Sequence, residues 1–92
     1  MIKNDNILAL ASPSGVGAIS LIRISGPESI TIVDKFFKGV ENIKLIYQDT
    51  NKVQLGYIVE QDRVIDKVLV TIFRNPKSYT GENLVEISCH GS

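Results

Sequence analysis

The feature that most constrains this chain is a strict alternation of side chains near its carboxyl end. Apolar and polar residues take turns there, in the order Val85, Glu86, Ile87, Ser88, Cys89 and His90. Successive side chains of a strand point to opposite faces, so the apolar residues share one face and the polar residues the other. The alternation therefore predicts a sheet with one face packed on a core and one face that can carry chemistry.

Four earlier stretches predict further strands. The continuous apolar run 7–11 indicates a strand buried on both faces, and 19–24 indicates a second strand. The stretches 52–60 and 65–74, separated by a turn at 61–63, predict a hairpin. The apolar face of the stretch 52–60 is expected to consist of Val53, Leu55, Tyr57 and Val59.

One helix is predicted between the second strand and the hairpin. Ser25 with Glu28 three places on matches a capping box, and Ile30, Val33 and Phe37 recur at helical spacing. Gly39 is expected to end the helix. The stretch 41–51 has no clear period and indicates only a short strand at 44–47. Strands with one or two helices predict an α+β fold built on a mainly antiparallel sheet.

Composition narrows the classes of function. With 92 residues the chain makes one small domain. Ten Lys and Arg balance ten Asp and Glu, and this zero net charge argues against a stand-alone nucleic-acid binder. The single cysteine excludes an internal disulfide and suits a reducing cytoplasm. No apolar run approaches the ~20 residues that span a bilayer, so no membrane association is expected.

Several candidate residues allow two interpretations each. Arg23 lies among aliphatic residues, so it needs an acidic or anionic partner, either Glu86 in a structural ion pair or a ligand. The glycine-rich loop 12–18 lacks the lysine of a phosphate-binding loop, which favours either a tight turn or a close approach of its backbone to a ligand or dimer partner. Cys89 fits a core position, and His90 fits a loop-positioning hydrogen bond better than acid–base catalysis. Neither residue supports a metal site.

Two segments carry a resemblance to a known family. Residues 11–27, ASPSGVGAISLIRISGP, resemble the pattern A-T-P-x-G-x-G-A-I-A-V-I-R-x-S-G, and residues 79–91, YTGENLVEISCHG, resemble Y-T-G-E-D-x-V-E-I-x-x-H-G. In this order, both are similar to motifs in the amino-terminal domain of the MnmE (TrmE) family of tRNA modification GTPases. Residues 65–74 fit the same family, so the resemblance covers nearly the whole chain.

The resemblance implies that residues 1–92 form an amino-terminal domain that binds folate and makes a homodimer, with a fold like the tetrahydrofolate-binding domain of glycine-cleavage T-protein. The implied cofactor is a tetrahydrofolate derivative, 5-formyl- or 5,10-methylene-tetrahydrofolate. GTP, Mg²⁺ and K⁺ would belong to a GTPase domain that this chain lacks, as it lacks the family's helical domain. The implied partners are the flavin-dependent MnmG (GidA) and tRNA, whose wobble uridine receives a carboxymethylaminomethyl group.

The folate contacts of the family carry over onto Arg23 and Glu86, while no catalytic residue and no metal ligand carries over. Ser12 stands where the family usually has threonine and keeps a hydroxyl. Asn83 replaces an aspartate, which puts any role of that acid in doubt. The alternative function is a non-catalytic dimerisation scaffold that binds no ligand of its own.

Overall fold

The computed structural model describes residues 7–10, 19–75 and 82–90. In chain order its elements are β1 (Ile7–Leu10), β2 (Ile19–Ser25), α1 (Ser29–Asp34), β3 (Phe37–Gly39), a 3₁₀ turn (Leu45–Tyr47), β4 (Val53–Glu60), β5 (Arg63–Phe73) and β6 (Leu84–His90). This confirms the predicted α+β class with a mainly antiparallel sheet. The predicted likeness to T-protein stays a prediction.

The six strands form one sheet in the order β1-β2-β6-β5-β4-β3, and every neighbouring pair is antiparallel. The last strand of the chain, β6, therefore lies in the middle, between β2 and β5. The predicted hairpin is confirmed as β4 and β5, joined by Gln61 and Asp62 with φ angles of 51° and 63°. Positive φ at both central residues is what a type I′ turn requires.

Helix α1 packs on one side of this sheet, which we call the packed face. The core there consists of Ile30, Val33, Phe37, Leu45, Val68, Val70, Ile72, Val85 and Ile87, each at most 9% exposed. Val85 and Ile87 are the apolar side of the alternation in β6, as predicted. Cys89 is partly buried against the same core, so its assignment to the packed side also holds.

The start and end of the helix differ from the prediction. Ser25 still belongs to β2, and its hydroxyl donates to the Glu82 carboxylate. Glu28 takes the cap position without a side-chain hydrogen bond, so no capping box forms. Ser29 anchors the first turn, because its buried hydroxyl donates to the carbonyls of Gly26 and Asn83. The helix ends at Asp34, before Phe37 and Gly39.

Phe37 and Gly39 belong to strand β3, so the prediction that they extend and end the helix was wrong. Phe37 lies opposite Ile58 in the register of β3 and β4, and a side chain at Gly56 would collide with its ring. The glycine in β4 thus makes room for a phenylalanine on the packed face. The spacing of Ile30, Val33 and Phe37 fits a helix that continues to residue 37. Phe37 fits a short edge strand equally well, so the spacing alone did not separate the two.

The predicted short strand at 44–47 is also wrong, since a 3₁₀ turn occupies Leu45–Tyr47. Leu45 is fully buried, and its N–H donates to the Asp34 carboxylate at 2.8 Å. Arg74 donates to the carbonyls of Leu45, Ile46 and Gln48. These contacts satisfy the turn's backbone from outside, and the local sequence alone does not show them.

Two strands expose residues that were predicted to be buried. In β4, Val53 is 60% and Leu55 40% exposed, whereas Gln54 is buried and donates to Gln48. The prediction for β4 therefore chose the wrong face, because it took the apolar set for the buried one. In β1, Leu8 is 67% exposed, since an edge strand with little above it is not buried on both faces.

Candidate functional site

The side of β2, β6 and β5 opposite helix α1 is here called the open face. In the register, Arg23 lies opposite Glu86, with Ala9 beyond Arg23 and Thr71 beyond Glu86. The two charged residues therefore occupy the centre of a row whose flanking side chains are small. No large residue of that row stands between the charged groups and a ligand that approaches the face.

Arg23 and Glu86 form an ion pair on this face. Arg23 Nε donates to Glu86 Oε2 at 2.6 Å, and the two side chains are 35% and 19% exposed. The sequence left open whether Arg23 pairs with Glu86 or with a ligand, and the structure shows the pair with Glu86. Arg23 is less buried than its aliphatic neighbours suggested, because its side chain points away from the core.

The exposure of the pair determines how readily it can exchange partners. Ion pairs that reach solvent contribute only about 0–1 kcal/mol, because water already solvates both charges well. A ligand that offers donors to the carboxylate and acceptors to the guanidinium can therefore replace this contact at small cost. The arrangement presents a strong acceptor and a strong donor side by side, which suits a heterocycle with alternating N–H and C=O groups.

The segment that leads into β6 adds a second carboxylate close by. Ser25 lies two residues after Arg23 on the same face, and its hydroxyl donates to Glu82 at 3.2 Å. Sequence reasoning missed this contact because it placed Ser25 in a helix cap. The parity of β2 was the signal, since residues 23 and 25 share a face of any strand.

Asn83 has a structural role that its replacement of an aspartate leaves intact. Its side-chain oxygen accepts a hydrogen bond from the Asn75 N–H at 2.8 Å, and its carbonyl accepts from the Gly26 N–H at 2.9 Å. A carboxylate oxygen could accept the first bond equally well. The contact therefore needs an oxygen at this position and no charge.

Ser88 lies on the open face with Glu86, as the alternation in β6 predicts, and Leu69 lies beside it; neither was predicted to contact a ligand. Ser88 is opposite both Leu69 of β5 and Leu21 of β2, and Leu69 is 45% exposed. This second row runs beside the row of the ion pair. Only strand order reveals it, because residues 21, 69 and 88 are far apart along the chain.

Other candidates lie elsewhere or outside the described residues. The loop 12–18, Tyr79 and the side chain of His90 are in the second group. Burial raises the pKa of the Cys89 thiol above its usual value, with a smaller contribution from the Asp66 carboxylate. Within 7–10, 19–75 and 82–90, no cluster of three potential metal ligands occurs. No helix in those ranges has the length and hydrophobicity to span a membrane.

Comparison with known proteins assigns the family. Residues 6–92 match the family model described as the GTP-binding protein TrmE N-terminus. Three similar relatives are each named tRNA modification GTPase MnmE. The protein of Flavobacterium johnsoniae is 52% identical over 92 residues, that of Christiangramia forsetii 53% over 89 and that of Bacillus subtilis 40% over 89.

The alignments cover 100%, 97% and 95% of this chain but only 20%, 19% and 19% of these relatives. The chain thus spans about a fifth of the length of the curated relatives that it matches. The match with the family model includes both motifs and the strands that carry Arg23 and Glu86. This chain belongs to the TrmE amino-terminal domain family.

Proposed function

We propose that this chain is a tetrahydrofolate-binding domain whose ligand contacts Arg23 and Glu86 on the open face. The observation that carries the proposal is the ion pair itself, a donor and an acceptor at 2.6 Å between small neighbours in the middle of a sheet. The folate is a reduced one-carbon carrier, 5-formyl- or 5,10-methylene-tetrahydrofolate.

The chemistry of the two side chains fits the pterin part of such a ligand. A pterin has neighbouring N–H groups on one edge, and a carboxylate accepts two such groups in parallel with short, charge-assisted bonds. Arg23 Nε donates to Oε2 of Glu86, and since each carboxylate oxygen can accept more than one hydrogen bond, both oxygens can accept from the pterin. The planar guanidinium of Arg23 matches the ring carbonyl or a folate carboxylate.

The wider function is proposed for the longer protein of which such a domain is part. The relatives are named tRNA modification GTPases, and we propose the same activity for that protein, in the cytoplasm. Residues 1–92 would serve as its folate-binding and homodimerisation domain. The wobble uridine of tRNA would be modified together with flavin-dependent MnmG, and GTP, Mg²⁺ and K⁺ would bind in a separate GTPase domain.

A dimerisation scaffold without a ligand is the second candidate, and one observation favours it. On the packed face, a hollow of about 450 Å³ lies between helix α1 and the sheet. Its walls are almost entirely apolar, and Leu8, Ile32, Phe36 and Ile58 are among its lining residues. Open apolar surface of this kind promotes association. The scaffold hypothesis predicts a dimer that binds no folate and whose formation does not depend on folate.

Calorimetric titration of the 92-residue chain with 5-formyltetrahydrofolate separates the two candidates. We expect binding in the unaltered chain and a loss of affinity on the order of tenfold to a hundredfold in Arg23→Ala and Glu86→Ala, because each change removes a charge-assisted hydrogen bond. Arg63→Ala is the matched control, since Arg63 is an exposed arginine at the β4–β5 turn. Its affinity should equal that of the unaltered chain.

Two outcomes would contradict the folate proposal. If the unaltered chain releases no heat at high ligand concentration but sediments as a dimer, the domain is a scaffold and the folate proposal is wrong. Equal losses in Arg23→Ala and Arg63→Ala would show that charge at any position matters and that no specific site exists. Circular dichroism of each variant confirms that the fold is intact before the affinities are compared.

A further inference from the structure

We infer that Leu21, Ser88 and Leu69 form a slot for the two-ring pterin of the folate, an inference that rests on the proposed folate function. We call these three residues the leucine slot. Ser88 is its floor and the two leucines are its walls. In this arrangement, Arg23 and Glu86 bind the polar edge of the pyrimidinone ring while the slot holds the reduced ring, which is thin and presents C–H groups on its faces.

The strand register makes the slot. Ser88 lies directly opposite Leu21 in β2 and directly opposite Leu69 in β5. Strands in a sheet are about 4.8 Å apart, so the Cα atoms of the two leucines are about 10 Å apart across Ser88. All three side chains share the open face because they have the same parity as Arg23 and Glu86.

The width of the slot suits one ring. Carbon atoms in contact are about 3.5–4.0 Å apart, so methyl groups on both sides of a flat ring are about 7–8 Å from each other, and those around a puckered, reduced ring are slightly further apart. Two leucines with Cα atoms about 10 Å apart can reach that separation by leaning slightly inward. A large residue in place of Ser88 would fill the gap, whereas serine leaves it open.

The position of the slot connects it with the ion pair. Ser88 follows Glu86 by two residues on β6, a distance of about 7 Å along the strand. A fused two-ring system is comparable in length. Its N–H edge can therefore contact Glu86 while its body lies between Leu21 and Leu69. The ion pair and the slot are adjacent rows of one surface.

Exposure also argues for an occupant at this place. A single exposed leucine is common on protein surfaces and needs no explanation. Leu69, however, is 45% exposed at the centre of a long strand, and its neighbour Leu55 is 40% exposed. These apolar side chains border a polar pair that a ligand can engage. A ligand with a polar edge and an apolar face complements both.

The test measures the affinity for 5-formyltetrahydrofolate in Leu69→Ala and Ser88→Leu. We expect about a tenfold loss in the first, because apolar contact area with the ring is removed. A larger loss is expected in the second, because the slot is filled. Ile43→Ala is the matched control, since Ile43 has the same 45% exposure as Leu69 but lies in the segment after β3. Its affinity should not change.

A second measurement identifies the half of the ligand that the slot binds. Tetrahydropterin and p-aminobenzoylglutamate, the two halves of the molecule, are each titrated as competitors of the complete folate. Leu69→Ala should weaken competition by tetrahydropterin and leave competition by p-aminobenzoylglutamate unchanged. The reverse pattern would overturn the inference, because the leucines would then contact the other half.

Failure of the slot can be distinguished from failure of the folate function. If the unaltered chain binds folate, Arg23→Ala weakens binding and both slot variants bind as tightly as Ile43→Ala, the site stands and the slot is wrong. If Leu69→Ala instead weakens dimerisation in sedimentation and leaves folate affinity unchanged, a second copy of the chain occupies the leucines. If the unaltered chain binds no folate at all, the proposed function and the slot fall together.

Discussion

The packed and open faces of the sheet differ within a single residue step. On the packed face, Ile22, Ile87 and Val70 form one row across β2, β6 and β5. One residue away, on the open face, the neighbouring row contains Arg23 and Glu86. Ile87 and Val70 belong to a core whose members are at most 9% exposed, and Ile22 is partly buried against that core, whereas the second row contains an ion pair that solvent reaches.

This difference separates stability from binding. Burial of aliphatic side chains provides most of the free energy of folding in a domain this small, and most of that burial is on the packed face, although Leu84 at the start of β6 is buried on the other side. The rows of Arg23–Glu86 and of Leu69 reach solvent and contribute less to folding, so these residues can contact a ligand without loss of the fold. Substitutions on the packed face should therefore lower the free energy of unfolding. Substitutions of exposed open-face residues should lower folate affinity and change the free energy of unfolding little.

The largest expected effect on the free energy of unfolding comes from a cavity on the packed face. Ile72→Ala should lower the free energy of unfolding by about 2–5 kcal/mol, because Ile72 is fully buried and its truncation leaves a cavity. Leu69→Ala, three residues earlier on the open face, should lower it by less than about 1 kcal/mol. Urea denaturation measures both. Similar losses in the two variants would contradict the division between the faces.

A smaller effect is expected from breaking the ion pair. Arg23→Ala and Glu86→Ala should each change the free energy of unfolding by about 0–1 kcal/mol, since both side chains reach solvent. The same variants should lose most of their folate affinity. A double-mutant cycle in urea gives the coupling energy of the pair. A coupling above about 3 kcal/mol would identify the pair as part of the folding core and not as an exchangeable site.

The position of a residue could be predicted from the sequence where that position depends on its neighbours along the chain. The alternation in β6 correctly separated Val85 and Ile87 from Glu86 and Ser88, because the pleat of a strand acts on neighbours alone. The β4–β5 hairpin followed from local signals in the same way. The pairing of Arg23 with Glu86 remained one of two alternatives, because nothing local brings residues 63 positions apart together.

The wrong predictions concern residues whose position depends on contacts with distant parts of the chain. Phe37 was placed in the helix and Leu55 in the core, although Phe37 pairs with β4 and Leu55 is 40% exposed. The fit of Phe37 over Gly56 and the buried bond between Gln54 and Gln48 decide which side of β4 faces the core. Those contacts are tertiary, and hydrophobic periodicity cannot report them. The leucine slot was missed for the same reason, because its three residues are on three strands.

The smallest expected effect is a difference in the rate of chemical modification between two thiols that are one residue apart on opposite faces. Burial, with the help of Asp66, raises the pKa of Cys89, so at pH 8 a smaller fraction of it is the reactive thiolate than in a free cysteine. Iodoacetamide should therefore modify Cys89 several-fold more slowly than the open-face thiol of Ser88→Cys in a Cys89→Ser background. The rate profile of Cys89 should also be displaced to higher pH. Equal rates for both thiols would contradict the assignment of faces.

The most direct test of the account follows the methyl groups of both faces by NMR during titration with 5-formyltetrahydrofolate. The methyl signals of Leu21 and Leu69 should shift on saturation, whereas those of Val70 and Ile72, buried on the other side of the sheet, should move little. Saturable shifts confined to Ile32 and Ile58, in the apolar hollow of the packed face, would contradict the account. The ligand would then bind away from Arg23 and Glu86.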